Sequence, residues 1–186
     1  MTCIVGIVDD GRIVLAGDSA GCTDTALIEV RDDPKVFTRE QYVIGYTISY
    51  RMGQILRYGV ELPEPPAQVD LSFMVRSIIP SIREAFETHG FLKTFTRTDS
   101  GWSEHGQAWG GRFLVGVHGQ LFIIDHDFQV GMPHRPYLAV GSGAQVAYGS
   151  LYSSAHLEPE ERATLALSAA AEHTKCVRGP FVTVTR

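Results

Sequence analysis

Thr2 is the first residue in the chain with the means to do chemistry, because it directly follows Met1. Methionine before a small residue is normally removed, and its removal leaves Thr2 with a free α-amine. A threonine hydroxyl is a weak nucleophile that needs a base, and an adjacent N-terminal amine is such a base. With an ordinary pKa of roughly 7.7–8.0, this amine accepts a proton near neutral pH. Thr2 is therefore a candidate nucleophile; the alternative is a threonine that simply begins a strand.

Several segments follow Thr2 in an ordered pattern. They are Thr2-Cys3-Ile4-Val5-Gly6-Ile7, Val14-Leu15-Ala16-Gly17-Asp18-Ser19, Asp33-Pro34-Lys35-Val36-Phe37, and residues 113–116, 121–125 and 139–144. Their joint order and spacing resemble the proteasome β-subunits and their bacterial ring relative, the ATP-dependent HslV peptidase. In that family an N-terminal threonine begins a strand, an Ala-(Ala/Gly)-Asp-(Ser/Gly) turn ends the next strand, and a Lys-(Val/Ile) strand follows the next loop. The resemblance covers most of the chain.

The resemblance implies a role for each matched residue. Thr2 matches the nucleophile, and Lys35 matches a buried lysine whose charge favours the deprotonated amine. Asp18 matches the carboxylate that orients this lysine, which would otherwise tend to lose its proton when buried. Ser142 matches a serine that holds or relays a proton beside the amine. Asp18 and Lys35 would equally form a structural ion pair, and Ser142 would equally cap a helix.

Residue 48 is a departure from the family pattern. The resemblance assigns the oxyanion hole to the backbone N–H of Ile48, where the family usually has glycine. A backbone donor survives a change of side chain. A β-branched residue, however, narrows the cleft, and we expect it not to adopt easily the backbone angles that glycine adopts.

The end of the last helix is a larger departure. The family has an aspartate there, and a serine a few residues on, that help to hold the N-terminal amine. Thr174 and Val177 occupy these places, and neither supplies a carboxylate. Glu172 and His173 are the candidate replacements. These departures do not change the expected fold, but they remove groups on which the expected activity depends.

Cys3, Cys22 and Cys176 are the only cysteines. Their odd number and irregular spacing predict neither a disulfide framework nor a zinc site, so we expect reduced cysteines in a reducing compartment. Cys3 is an alternative nucleophile, but it would require loss of two residues, and on a strand it would face away from Thr2. We expect it to be a small buried residue.

Composition restricts the class of protein. The 186 residues suffice for one domain, residues 1–186, with a real core. A net charge of −5 with no basic stripe argues against nucleic-acid binding. The seven histidines do not cluster, so no metal and no other cofactor is expected. Without a signal peptide or an apolar run of ~20 residues, we expect a cytoplasmic protein that is not in a membrane.

The elements that must position these residues follow from apolar periodicity. Asp9-Asp10-Gly11 predicts a hairpin between two apolar runs, and His118-Gly119 predicts another. Helices are expected from about Ser49, Asp70, Gly143 and Pro159, with Pro80 interrupting the second. Further strands are predicted at residues 41–47, 137–140 and 181–185, and a loop is predicted after Asp18 through Thr25. A long loop is predicted over residues 96–111. It carries Trp102, His105 and Trp109, which are candidates for a substrate rim or a subunit interface.

Segregated strands and helices indicate an α+β class. We expect a four-layer αββα sandwich, in which two antiparallel sheets pack together and each is covered outside by a helix pair, as in the N-terminal-nucleophile (Ntn) hydrolases.

The functional prediction is a threonine-type endopeptidase that hydrolyses peptide bonds within a homo-oligomeric ring. Peptides or unfolded proteins are the expected substrates, and an ATPase unfoldase is a candidate partner. Two alternatives remain open at this point. One is a catalytically silent ring or scaffold subunit, like the proteasome α-subunits, and the other is an amidase that acts on small molecules through Thr2.

Overall fold

The computed structural model describes residues 2–22, 28–91, 94–98, 101–105 and 111–186, with residues 94–98 and 101–105 described as backbone only. The strands are β1 (Cys3–Asp9), β2 (Arg12–Gly17), β3 (Ala20–Cys22), β4 (Ile28–Val30), β5 (Val36–Arg39), β6 (Tyr42–Tyr46), β7 (Thr94–Thr98), β8 (Gly101–His105), β9 (Phe113–Val117), β10 (Gln120–Ile124), β11 (Val130–Gly131), β12 (Tyr137–Gly141) and β13 (Val182–Thr185). The helices are α1 (Tyr50–Tyr58), α2 (Leu71–Phe73), α3 (Ile79–Thr88), α4 (Ala144–Ser153) and α5 (Pro159–His173), with a π-helical segment at Met74–Ile78.

Two antiparallel sheets form the centre of the molecule. One has the strand order β12-β1-β2-β13 and the other the order β11-β10-β9-β6-β5. The predicted hairpins are confirmed, since β1 pairs with β2 and β9 pairs with β10. The short pairs β3–β4 and β7–β8 lie outside both sheets.

Alternation of side chains along the strands separates the core into three apolar layers. Ile4, Ile13 and Leu15 of the first sheet face Val43 and Leu114 of the second sheet in the central layer. The outer face of the first sheet packs against α4 and α5, and the outer face of the second packs against α1 and the α2–α3 segment. The predicted four-layer αββα arrangement is therefore confirmed.

Helix boundaries follow local chemistry. The Ser49 hydroxyl accepts a hydrogen bond of 3.2 Å from the Met52 N–H and caps α1, as predicted. Pro80 lies in the first turn of α3, directly after the π-helical segment, so the predicted interruption is confirmed. None of the described helices is long and apolar enough to cross a bilayer.

Two loop predictions were wrong. The predicted loop over residues 96–111 includes β8 and the end of β7, which pair through Thr94↔His105 to Thr98↔Gly101, while residues 99–100 and 106–110 lie outside the described residues. The threonines of β7 favour extended backbone, a preference hidden by the Gly, Ser and charge of the segment. The loop predicted after Asp18 through Thr25 is wrong at residues 20–22, which form β3 although the segment is small and polar, and residues 23–25 lie outside the described residues. The side chains of Trp102 and His105, and all of Trp109, lie outside the described residues.

Candidate active site

A buried ion pair joins the ends of three strands. Lys35, just before β5, donates from Nζ to both Asp18 carboxylate oxygens at 2.9 and 3.0 Å. The two side chains are only 2% and 0% exposed. Asp18 also accepts from the backbone N–H groups of Cys3 and Ala20, at 2.9 and 3.0 Å. Because four donated hydrogen bonds converge on one carboxylate, the pair fixes the start of β1, one residue from Thr2.

The Lys35 ammonium group lies in a strongly desolvated position. Burial lowers its pKa below the ordinary value, while the charge and hydrogen bonds of Asp18 oppose that shift. Its third donor goes to the Ala20 carbonyl at 2.6 Å. Lys35 is therefore a fixed cation that borders the cleft next to Thr2.

Thr2 is held by the turn that follows β12. Its backbone N donates to the Ser142 hydroxyl at 3.2 Å, and the Gly143 N–H donates to the Thr2 carbonyl at 3.3 Å. Gly141 has φ 101°, and a Cβ there would overlap the backbone carbonyl oxygen of Thr2, so only glycine fits. Once Met1 is removed, the nitrogen beside Ser142 is the α-amine. The alternative of Ser142 as helix cap was wrong, because Gly143 occupies the N-cap position of α4.

Ile48 lies between β6 and α1 and borders the same cleft as Thr2 and Lys35. Among the hydrogen bonds of the described residues, none uses its backbone N–H. Isoleucine was not expected to adopt a glycine-like conformation easily, and Ile48 has φ 68°, in the left-handed region that glycine favours, so it adopts this conformation with backbone strain. Hydrogen bonds between Arg112 and Thr47, the residue before Ile48, hold this turn in place. The isoleucine side chain is 64% exposed and contributes little packing.

Backbone strain at Ile48 predicts that Ile48→Gly raises the free energy of unfolding, by about 0.5–1 kcal/mol, because glycine adopts positive φ without a steric cost. Urea denaturation measures this change. Ile48→Ala is the matched control, since alanine removes the same side chain but keeps the strained φ. An equal increase in the free energy of unfolding in both variants would show that the strain comes from the isoleucine side chain and not from the backbone.

The cleft beside Thr2 has a volume of about 140 Å³. Its wall includes β3 and Arg31, whose guanidinium lies 3.8 Å from the centre of the Tyr50 ring. Arg31 also donates two bonds of 2.7 Å to Asp33, so its charge is already paired. The Tyr50 hydroxyl is buried without a hydrogen-bond partner in the described part of the chain, and burial raises its pKa to about 12. Sequence reasoning missed Arg31 and Tyr50, because neither belongs to a recognisable motif.

Comparisons with known proteins found a shared architecture. BPH from Thiobacillus denitrificans, solved in complex with epoxomicin, is 22% identical, with a TM-score of 0.77 over 99% of this chain and 97% of that one. Eukaryotic HslV from Trypanosoma brucei is 16% identical, with a TM-score of 0.67 over 98% of both chains. The Anbu (Gly-1) mutant from Hyphomicrobium sp. strain MC1 is 15% identical, with a TM-score of 0.69 over 100% of this chain and 81% of that one.

The chain has the proteasome-like Ntn-hydrolase fold. The resemblance noted in the sequence is therefore confirmed at the level of the fold. Neither the protein-family models nor the curated proteins gave a match.

Within this proteasome-like fold, the end of α5 departs from the family pattern, as the sequence indicated. Thr174 ends the helix, and Val177 is fully buried. Glu172 and His173 do not replace the expected carboxylate, because both are exposed and neither borders the cleft. The guanidinium of Arg178 instead donates to backbone carbonyls at this helix end, where a cation is favoured.

The cysteines correct one prediction and confirm another. Cys22 and Cys176 form a disulfide with a Cα–Cα distance of 6.0 Å, so the expectation that all three are reduced was wrong. A separation of 154 residues hid this pair, since only the packing of β3 against the segment after α5 brings them together. Cys3 is buried, as expected, and burial followed by the nearby Asp18 raises its thiol pKa to about 12. It is a poor nucleophile at neutral pH.

Proposed function

We propose that the protein is a threonine-type endopeptidase of the proteasome-like class, in which Thr2 is the nucleophile after Met1 is removed. One observation carries this proposal. The Thr2 nitrogen lies 3.2 Å from the Ser142 hydroxyl, at a cleft bordered by Lys35 and Ile48. The proposal assigns the nucleophile and the base to Thr2, the cation to Lys35 and the backbone donor to Ile48, all of which border this cleft.

The reaction begins with proton transfer. The α-amine of Thr2 takes the hydroxyl proton, directly or through water, and the Ser142 hydroxyl stays in contact with the amine. The fixed cation of Lys35 disfavours protonation of the amine and stabilises negative charge as the oxygen forms. Asp18 holds Lys35 in position without entering the cleft.

The Thr2 oxygen then attacks the substrate carbonyl. The Ile48 N–H donates to the developing oxyanion, an interaction that typically supplies a few kcal/mol when it is preorganised. The C–N bond breaks, the leaving amine takes the proton from the Thr2 amine, and an ester remains on Thr2. Water, activated by the same amine, hydrolyses the ester and regenerates the hydroxyl.

Peptides and unfolded proteins are the proposed substrates. The Thiobacillus BPH structure, which shares the fold over nearly the whole chain, contains epoxomicin. Likeness to HslV and Anbu supports a homo-oligomeric ring, and an ATPase unfoldase is the proposed partner. We also propose that residues 1–186 form one domain, without cofactor, that works in the cytoplasm.

The two other functions each have a supporting observation. A silent ring subunit is favoured by Thr174 and Val177, which leave the amine without the family's carboxylate. An amidase for small molecules is favoured by the limited cleft volume of about 140 Å³.

Hydrolysis in ¹⁸O-labelled water separates the three functions. The purified protein is incubated with a reduced, alkylated protein and, separately, with a panel of N-acyl amides, and products are identified by mass spectrometry. We expect internal peptides with ¹⁸O in their new carboxyl groups. Cleavage of small amides alone would favour the amidase, and no product from either substrate would favour the silent subunit.

A further inference from the structure

We propose that the Cys22–Cys176 disulfide is a redox-controlled positioning element, which holds one wall of the Thr2 cleft in place when it is formed. The inference rests on the proposed hydrolase function for its effect on catalysis. Its effect on the structure of the cleft wall is independent of that function.

Strand β3 forms this wall and has few attachments. Among the strands that the structure describes, it pairs only with β4 and belongs to neither main sheet. Its first residue, Ala20, is anchored by Asp18 and Lys35, at 3.0 and 2.6 Å. Its last residue, Cys22, borders the cleft and is joined to Cys176. The ion pair therefore fixes one end of the wall, and the disulfide fixes the other.

The segment after α5 is the second half of the attachment. Cys176 is fully buried, and two hydrogen bonds accompany its disulfide. The Ser19 N–H donates to the Arg178 carbonyl at 3.0 Å, and the Ser19 hydroxyl donates to the Pro180 carbonyl at 2.7 Å. This is the segment in which Val177 stands where the family pattern has a polar residue. The disulfide and the two Ser19 hydrogen bonds therefore attach the wall to this segment.

The chemistry of the switch is thiol–disulfide exchange. Cys22 borders the cleft, whereas Cys176 is buried, so an external thiolate attacks the Cys22 sulfur. A mixed disulfide forms on Cys22, and Cys176 leaves as a thiolate that takes up a proton. A second external thiolate then resolves the mixed disulfide, which leaves two protein thiols and one oxidised reagent disulfide. In the reverse direction, a low-molecular-weight disulfide such as glutathione disulfide is the oxidant.

Reduction frees the Cys22 end of β3 while the ion pair keeps the Ala20 end in place. The wall, which lines the cleft together with Ile48, then loses its fixed position. We expect acylation of Thr2 to slow about tenfold, mainly through weaker binding, because a loosened wall no longer holds the bound molecule beside Thr2. In a reducing cytoplasm such a disulfide acts as a sensor of oxidation, and the enzyme is most active when oxidised.

The test compares the oxidised protein with the protein reduced by dithiothreitol, with two readouts. The first is hydrogen exchange of the amides at residues 18–22 and 28–31, with β9 and β10 as an internal reference. The second is the concentration dependence of Thr2 acylation by a β-lactone. We expect reduction to raise exchange in the wall about tenfold or more, with the reference unchanged, and to weaken β-lactone binding.

Variants assign the effect to the disulfide. Cys22→Ser should match the reduced protein under both conditions, and Cys3→Ala should keep the full redox response. Ser19→Ala keeps the disulfide but removes the bond to Pro180, so it should give a smaller loosening of the same wall even if Cys22→Ser folds poorly. Equal wall exchange in the oxidised and reduced proteins would overturn the proposal. Changed exchange with unchanged acylation would overturn the positioning role. Changed exchange without acylation in either state would instead count against the hydrolase function.

Discussion

Thr2→Ala is expected to lower peptide hydrolysis by a factor on the order of 10³ or more, because it removes the only atom proposed to attack the substrate. The variant keeps the α-amine, and a side chain that is already small and buried changes little in volume. Steady-state kinetics on a fluorogenic peptide measure the loss, and circular dichroism checks that the variant is folded.

Thr2→Ser is the matched control for the nucleophile. It retains the hydroxyl and lacks only the methyl group, so hydrolysis should stay within about tenfold of the wild-type rate. Removal of Met1 should be checked by intact mass in every variant, because an amide nitrogen at residue 2 is not a base. If Thr2→Ala hydrolysed peptides as fast as the wild type, another residue would be the nucleophile.

Lys35→Met is expected to lower the free energy of unfolding by about 3–5 kcal/mol and to abolish hydrolysis, because it leaves the Asp18 carboxylate buried without its counter-ion. Methionine fills a similar volume, so lost packing contributes little. Urea denaturation measures the stability change, and peptide kinetics measure the activity.

Two further variants test whether the lost stability of Lys35→Met comes from the unpaired buried charge. Asp18→Asn combined with Lys35→Met removes both charges and should regain part of the stability without regaining hydrolysis. Arg12→Met breaks the Arg12–Glu160 ion pair, whose side chains are 46% and 42% exposed, and should cost at most ~1 kcal/mol. A loss in Lys35→Met no larger than in Arg12→Met would contradict the account of a buried, strongly coupled pair.

Much of the fold was predictable because local signals agree with the tertiary structure. The Asp-Gly turn after β1, the Ser49 cap of α1 and the start of α5 at Pro159 each obey a local rule. The β7–β8 pair and β3 were missed because their polar, glycine-containing sequences resemble loops. Their extended backbone shows only as β propensity, which is a weaker signal than apolar alternation.

The candidate site was predictable only in part. Thr2 is identifiable from its place after Met1, but Asp18, Lys35 and Ser142 were linked to it by resemblance. No spacing rule brings residues 2, 18, 35 and 142 together, because the packing of several strands does so. The Cys22–Cys176 pair depends on the same long-range packing, and so its separation of 154 residues concealed it.

The nucleophile is tested most directly by the intact mass of the purified protein before and after treatment with a β-lactone that acylates N-terminal threonine. We predict loss of Met1 and a single adduct on Thr2, and no adduct on the Thr2→Ala variant. Retained Met1, or a processed Thr2 that takes no adduct, would contradict the proposed mechanism and favour the silent subunit.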